Sequence, residues 1–151
     1  MAIADILRGC PLFFELEDRE IEAVTRKCRV FSCRPGQRIL EQDQALEALY
    51  IVLEGDFTAE RQDYPPGAPP SRTLLAGDPF GEGYLVGEVR SSESLSSTSE
   101  SVLLEVRYQE IFGLYRKDPA LFGLLMLNLS RLLARRLSAV EMRQDPAKNA
   151  A

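Results

Sequence analysis

The spacing of apolar residues changes twice along the chain. Up to about Cys28 they recur at helical intervals. From Val30 to Val106 they recur about every second position. From Arg107 onward the helical interval returns. The first segment begins with Ile3, Ile6 and Leu7 on one side of a short amphipathic stretch. Ile21, Val24 and Cys28 follow at helical spacing, which predicts a helix capped by Asp18 and running to about Cys28. Strands are predicted at Val30 to Cys33, Gln37 to Glu41, Leu49 to Leu53, Phe57 to Gln62 and Arg72 to Leu75. The breaks between them carry turn residues: Arg34-Pro35-Gly36, Glu41-Gln42-Asp43-Gln44, Glu54-Gly55-Asp56 and the proline-rich stretch from Tyr64 to Pro70. Ordinarily that proline-rich stretch is a stiff exposed connection, with a docking motif as the lesser alternative.

Seven of the residues from Ser91 to Ser101 are serine, a composition common in flexible linkers. This segment runs without a gap into the apolar strand Val102 to Val106, so we read it as a polar strand. Beyond it, Tyr108, Ile111, Phe112 and Tyr115 form one helical stripe. Asp118-Pro119 ends that helix and caps the next. The last helix, from Leu121 to about Arg143, is apolar on more than one side. One face can cover the domain. A second row, Leu121, Leu125, Leu132 and Ala139 with Asn128 and Arg135 interposed, is expected to need another partner. Many short strands with helices at both ends predict a mainly β domain, an antiparallel sandwich or barrel with flanking helices.

The turn between Leu75 and Leu85 carries the candidate chemistry. Gly81 and Gly83 lack a Cβ, so an anion can approach the backbone closely, and the free N–H groups of a first helical turn would face it. By itself a G-x-G fragment is more often a plain turn. Its setting changes the picture. Leu74, Gly77, Asp78, Phe80, Gly81, Glu82 and Leu85 form an L-x-x-G-D-x-F-G-E-x-x-L pattern. It resembles the phosphate-binding cassette of cyclic nucleotide-binding domains, the sensor domains of the bacterial catabolite activator family and of cyclic-nucleotide-dependent kinases and channels. Two further stretches are similar to the same family: P-L-F-x-x-L-x-x-x-x-I-x-x-V from Pro11, and the frame Gly36, Ile39, Tyr50, Gly55. One family glycine is Asp43 here, and Asp tolerates the left-handed backbone better than most residues.

The resemblance covers nearly the whole chain, from about Leu7 to Val140. It implies an antiparallel β-roll of the double-stranded β-helix or jelly-roll type, at residues 30–106, with the cassette at 77–95. Helical segments are expected at 1–29 and 107–143, and a frayed tail at 144–151, all within one domain. It also implies a ligand, cyclic AMP or cyclic GMP, and no bound cofactor. The expected ligand-binding set is Gly81, Glu82, Gly83, Tyr84, Leu85, Arg90, Ser91, Ser92 and Arg136. In it the backbone around Gly81 takes the phosphate and Glu82 the ribose. Arg136 is included because LARRL, Leu133 to Leu137, is similar to the stretch that meets the base in the catabolite activator group; placed near a helix C-terminus, it also suits the helix dipole.

One departure matters. The family's phosphate arginine stands nine positions after the glutamate, and here that position is Ser91. Arg90 is one position early, and in a strand a slip of one residue turns the side chain to the other face. A bidentate Arg–phosphate contact is worth roughly 1.5–3 kcal/mol, about tenfold to a hundredfold in affinity. Glu93 stands where the family has a small residue beside the phosphate, and its carboxylate is expected to repel the ligand. The functional expectation is therefore a ligand-sensing regulatory module that binds a cyclic nucleotide or related anion weakly or atypically. The alternative is a ligand-free dimerisation or protein-interaction scaffold that keeps the fold.

Composition narrows the remaining classes. The chain has 151 residues, 45% hydrophobic and 27% charged, as in an ordinary soluble domain. A net charge of −5 argues against a nucleic-acid face on this chain alone. No run reaches transmembrane length and the N-terminus lacks a signal-peptide pattern, so no membrane association and a cytoplasmic location are expected. Cys10, Cys28 and Cys33 are expected to be reduced thiols. With no histidine there is no Ser-His or Cys-His pair, and too few ligands for zinc, so enzymatic activity and a metal site are not expected. The second apolar row of the last helix predicts a homodimer through Leu121 to Arg143, with Asn128 setting register across a two-fold axis.

Overall fold

A computed structural model describes residues 2–144, apart from 64, 68, 69, 71, 88 and 89 and the side chains of 140, 143 and 144. The predicted tail and parts of the proline-rich connection lie outside the described residues. Among the described residues, eight strands form two antiparallel four-stranded sheets. The first has the order β1-β8-β3-β6, from β1 (Arg29–Cys33), β8 (Ser101–Arg107), β3 (Ala48–Glu54) and β6 (Pro79–Phe80). The second has the order β2-β7-β4-β5, from β2 (Arg38–Leu40), β7 (Ser94–Ser97), β4 (Phe57–Glu60) and β5 (Arg72–Leu74). This is the expected β-roll, and the serine-rich segment does supply strand β7.

Strand β3 shows why its sequence is apolar without alternation. Val52 joins the core between the sheets, with Phe57, Ala59, Leu74, Phe80, Leu95 and Leu103. Leu49, Ile51 and Leu53 face the helical layer instead. A strand covered on both faces buries every residue, so the period-two signal disappears. Asp43 takes the left-handed backbone at φ 69°, which the turn between β2 and β3 requires.

Helices α1 (Ile3–Arg8), α2 (Asp18–Thr25), α3 (Tyr108–Lys117) and α4 (Pro119–Gln144) cover the first sheet, with a 3-10 turn at Pro11–Phe13. Expectations for two helices, α2 and α4, are corrected here. The cap of α2 is Glu17, not Asp18. Glu17 and Glu20 form a reciprocal capping box, while the Asp18 carboxylate accepts two hydrogen bonds from Arg8 Nη2 and one from its Nε. The helix also stops at Thr25, short of Cys28. The expected cap of α4 is present: Leu121 N–H donates to Asp118 Oδ1 at 3.2 Å.

The second correction concerns α4. Leu121, Leu125 and Leu132 do not form a second, outward row. They are 0%, 6% and 9% exposed and belong to the core shared with α1, α3 and the first sheet. Asn128, in the same row, is 1% exposed. Its Nδ2 donates to Leu12 O at 3.0 Å and Phe14 O at 2.8 Å, satisfying carbonyls at the end of the Pro11–Phe13 turn. It therefore fastens α4 to the N-terminal segment rather than to another copy. The outward side of α4 instead carries Leu127 and Leu137.

Candidate functional site

The cassette leaves the first sheet through β6, whose Phe80 pairs with Tyr50 of β3. Asp78 fixes the turn before it. Its carboxylate accepts from Leu75 N–H at 2.9 Å, and its carbonyl accepts from Val52 N–H at 3.0 Å. Gly81 then adopts φ 90°, a left-handed conformation, and opens a 3-10 turn at Glu82–Tyr84. Tyr108 at the start of α3 donates its hydroxyl proton to Gly81 O. A Cβ at Gly81 would lie 3.1 Å from Ala48 O and 3.3 Å from the Tyr108 hydroxyl. Gly81→Ala is therefore expected to cost about 1–2 kcal/mol of folding stability, from the left-handed backbone plus this crowding, measurable by urea denaturation.

Glu82 is the unusual residue of the turn. It is 1% exposed, although carboxylates are rarely buried unless paired. Its Oε1 forms an ion pair with Arg136 Nη1, contributed by α4. Oε1 is taken up by this contact, and Oε2 accepts no hydrogen bond from the described residues. A buried carboxylate with an open acceptor oxygen suits a ligand that donates a hydroxyl hydrogen bond. Burial, and then the nearby Arg72 charge, push the Arg136 guanidinium down to about 10, with Asp78 opposing them. It remains cationic at neutral pH.

Other predicted site residues are placed as follows. Gly83 stands against α4, where a Cβ would meet Leu133 Cδ2 at 3.6 Å. Leu85 packs into the core beside α4. The Tyr84 hydroxyl lies 2.7 Å from Ser92 Oγ and accepts from Ser92 N–H at 3.0 Å, tying the two ends of the cassette together. Ser91 is fully buried and internally committed. Its hydroxyl donates to Glu93 O, its N–H donates to Gln44 O, and its carbonyl accepts from Asp43 N–H. Arg90 is exposed and forms an isolated bridge with Ala45, and its Nη1 donates to Asp43 O at 2.9 Å. The structure thus brings Gly81, Glu82, Gly83 and Arg136 together, while Arg90 is engaged with the β2–β3 turn.

Arg72 is not among the site residues predicted from sequence. In β5 it stands opposite Ala59, which stands opposite Leu95 in β7. Both neighbours are fully buried in the core between the sheets. Directly paired residues share a face, so Arg72 is an inward-facing cation. Its guanidinium lies 5.2 Å from the Phe80 ring centroid, and its Nε is 3.7 Å from Glu93 Oε1. The signal was present in the alternation: Leu74 faces inward, so Arg72 must as well.

A model of the cyclic nucleotide-binding domain family matches residues 30–118, more than half of the chain, and the chain belongs to that family. Among its relatives is the cyclic AMP receptor protein of Thermus thermophilus, 28% identical over 139 residues. The match covers 92% of this chain and 62% of that protein's length. The crystal structure of Thermus thermophilus catabolite activator protein superposes with a TM-score of 0.79 at 28% identity, over 91% of this chain and 62% of that one. The regulatory domain of Toxoplasma gondii PKA, co-crystallised with cAMP, shares the fold, with a TM-score of 0.68 at 22% identity over 91% of this chain and 49% of that one. Among the described residues no helix is long and apolar enough to cross a membrane.

Proposed function

We propose that this chain is a ligand-sensing regulatory module whose pocket takes a cyclic nucleotide, cyclic AMP or cyclic GMP, in an atypical manner. The observation that carries this reading is the buried Glu82 carboxylate, paired with Arg136 through Oε1 and with Oε2 open. In this reading Glu82 accepts a hydrogen bond from the ribose hydroxyl, and the backbone at Gly81 and Gly83 lies along the phosphate. Arg136 pairs with Glu82 and links the pocket to α4. The relative's name, cyclic AMP receptor protein, points to the same ligand class.

Assembly belongs to the same proposal. A homodimer through α4 would use its outward residues Leu127 and Leu137, which are 47% and 59% exposed. The ligand-free scaffold is the second reading, favoured by Ser91 at the usual arginine position, where its hydroxyl and backbone serve the fold alone. Titration calorimetry with cyclic AMP and with cyclic GMP separates the two. Saturable heat with either nucleotide, at a stoichiometry near one per chain, is expected. Absence of heat at millimolar nucleotide would leave the scaffold.

A further inference from the structure

We propose that Arg72 of strand β5 supplies the phosphate charge that the cassette lacks, and that Glu93 holds its place until the ligand arrives. The inference rests on the cyclic nucleotide reading above and adds to it a cation from outside the cassette.

Three observations carry it. First, the cassette positions that could hold a cation are otherwise occupied. Ser91 is buried and bonded into the fold, and the Arg90 guanidinium is bonded to Asp43 O on the β2–β3 turn. Second, Arg72 points inward from an edge strand at the rim of the core between the sheets, a position an unneeded cation avoids. There it rests on Phe80, two residues before Glu82. Third, its ion-pair partner Glu93 stands two residues after Ser91, the position expected to hold the phosphate arginine, so Arg72 faces the segment that would flank the phosphate.

The Arg72–Glu93 contact at 3.7 Å is a loose ion pair, not a bidentate hydrogen bond. A phosphodiester is a better match to the guanidinium fork than one distant carboxylate oxygen. Glu93 is thus an internal anion that exchanges with the phosphate for Arg72. This changes its expected role from simple repulsion to competition. The ligand must displace Glu93, which lowers affinity without closing the site.

The test is calorimetry with cyclic AMP and cyclic GMP on four variants, each checked by its thermal melt. Arg72→Gln is expected to lose at least tenfold in affinity for whichever nucleotide binds the wild type. Arg72→Lys, which keeps the charge but not the fork, is expected to fall between the two. Glu93→Gln is expected to bind several-fold more tightly than wild type, an outcome a merely structural role would not give. Arg90→Ala is expected to stay within twofold. Unchanged affinity in Arg72→Gln, or a tenfold loss in Arg90→Ala, would overturn the inference while leaving the cyclic nucleotide reading intact. Glu93→Gln binding no better than wild type would overturn the exchange. A wild-type chain that binds neither nucleotide would overturn both the inference and the reading beneath it.

Discussion

Glu82→Gln is expected to lower cyclic AMP affinity at least a hundredfold, about 2.7 kcal/mol, while lowering the thermal melt of the free domain by only a few degrees. The two halves of this result have separate causes. Affinity falls because a charge-assisted hydrogen bond from the ribose is replaced by a neutral one. Such bonds are worth about 1.5–3 kcal/mol. The amide also brings an N–H₂ donor against Arg136, so the pocket loses an acceptor and gains a repulsive contact. Stability falls as well, because removing one partner of a buried ion pair leaves the other charge uncompensated, and the loss is limited only as far as Arg136 can reach water. Arg136 is well placed to adapt, since its side chain retains 37% exposure and can turn toward water. A variant that binds cyclic AMP within threefold of wild type would remove Glu82 from the site. A variant that unfolds would show that the pair serves the fold.

How far such a site can be read from sequence depends on what kind of signal each residue leaves. Gly81 and Glu82 were legible because a short motif specifies a left-handed turn followed at once by a carboxylate, and motifs are local. The strands were legible where one face is covered, as in β4, whose Phe57 and Ala59 are buried while Glu60 is exposed. The cap at Asp118 was legible for the same local reason. The inward direction of Arg72 was legible from its alternation with Leu74, but the partner it meets there, Glu93 beside β7, was not. Asn128 was misplaced for a related reason. A polar residue within a leucine row suits an interhelical contact in a coiled coil. Here it caps carbonyls of Leu12 and Phe14, more than 100 residues earlier in the chain. Long-range contacts of this kind leave no periodic trace.

The same misplacement reverses the expected outcome of a test on α4. Were Leu125 and Leu132 a dimer seam, the double substitution Leu125→Glu, Leu132→Glu would yield a folded monomer. With both residues in the monomer core, it is expected to unfold the domain. Losing two buried leucines removes roughly 1.5–3 kcal/mol each. Forcing two carboxylates into the same space adds several kcal/mol per unpaired ion, or expels the helix. The sum is comparable to the entire stability of a typical domain, about 5–15 kcal/mol. Circular dichroism should therefore show loss of the cooperative thermal transition. The paired change Leu127→Glu, Leu137→Glu alters residues on the outward side of the same helix. It is expected to leave the melt within a few degrees of wild type. In sedimentation at tens of micromolar it should shift any dimer to monomer. A folded, cooperative Leu125→Glu, Leu132→Glu protein would show instead that this row is open to solvent, as a helix awaiting a second copy requires.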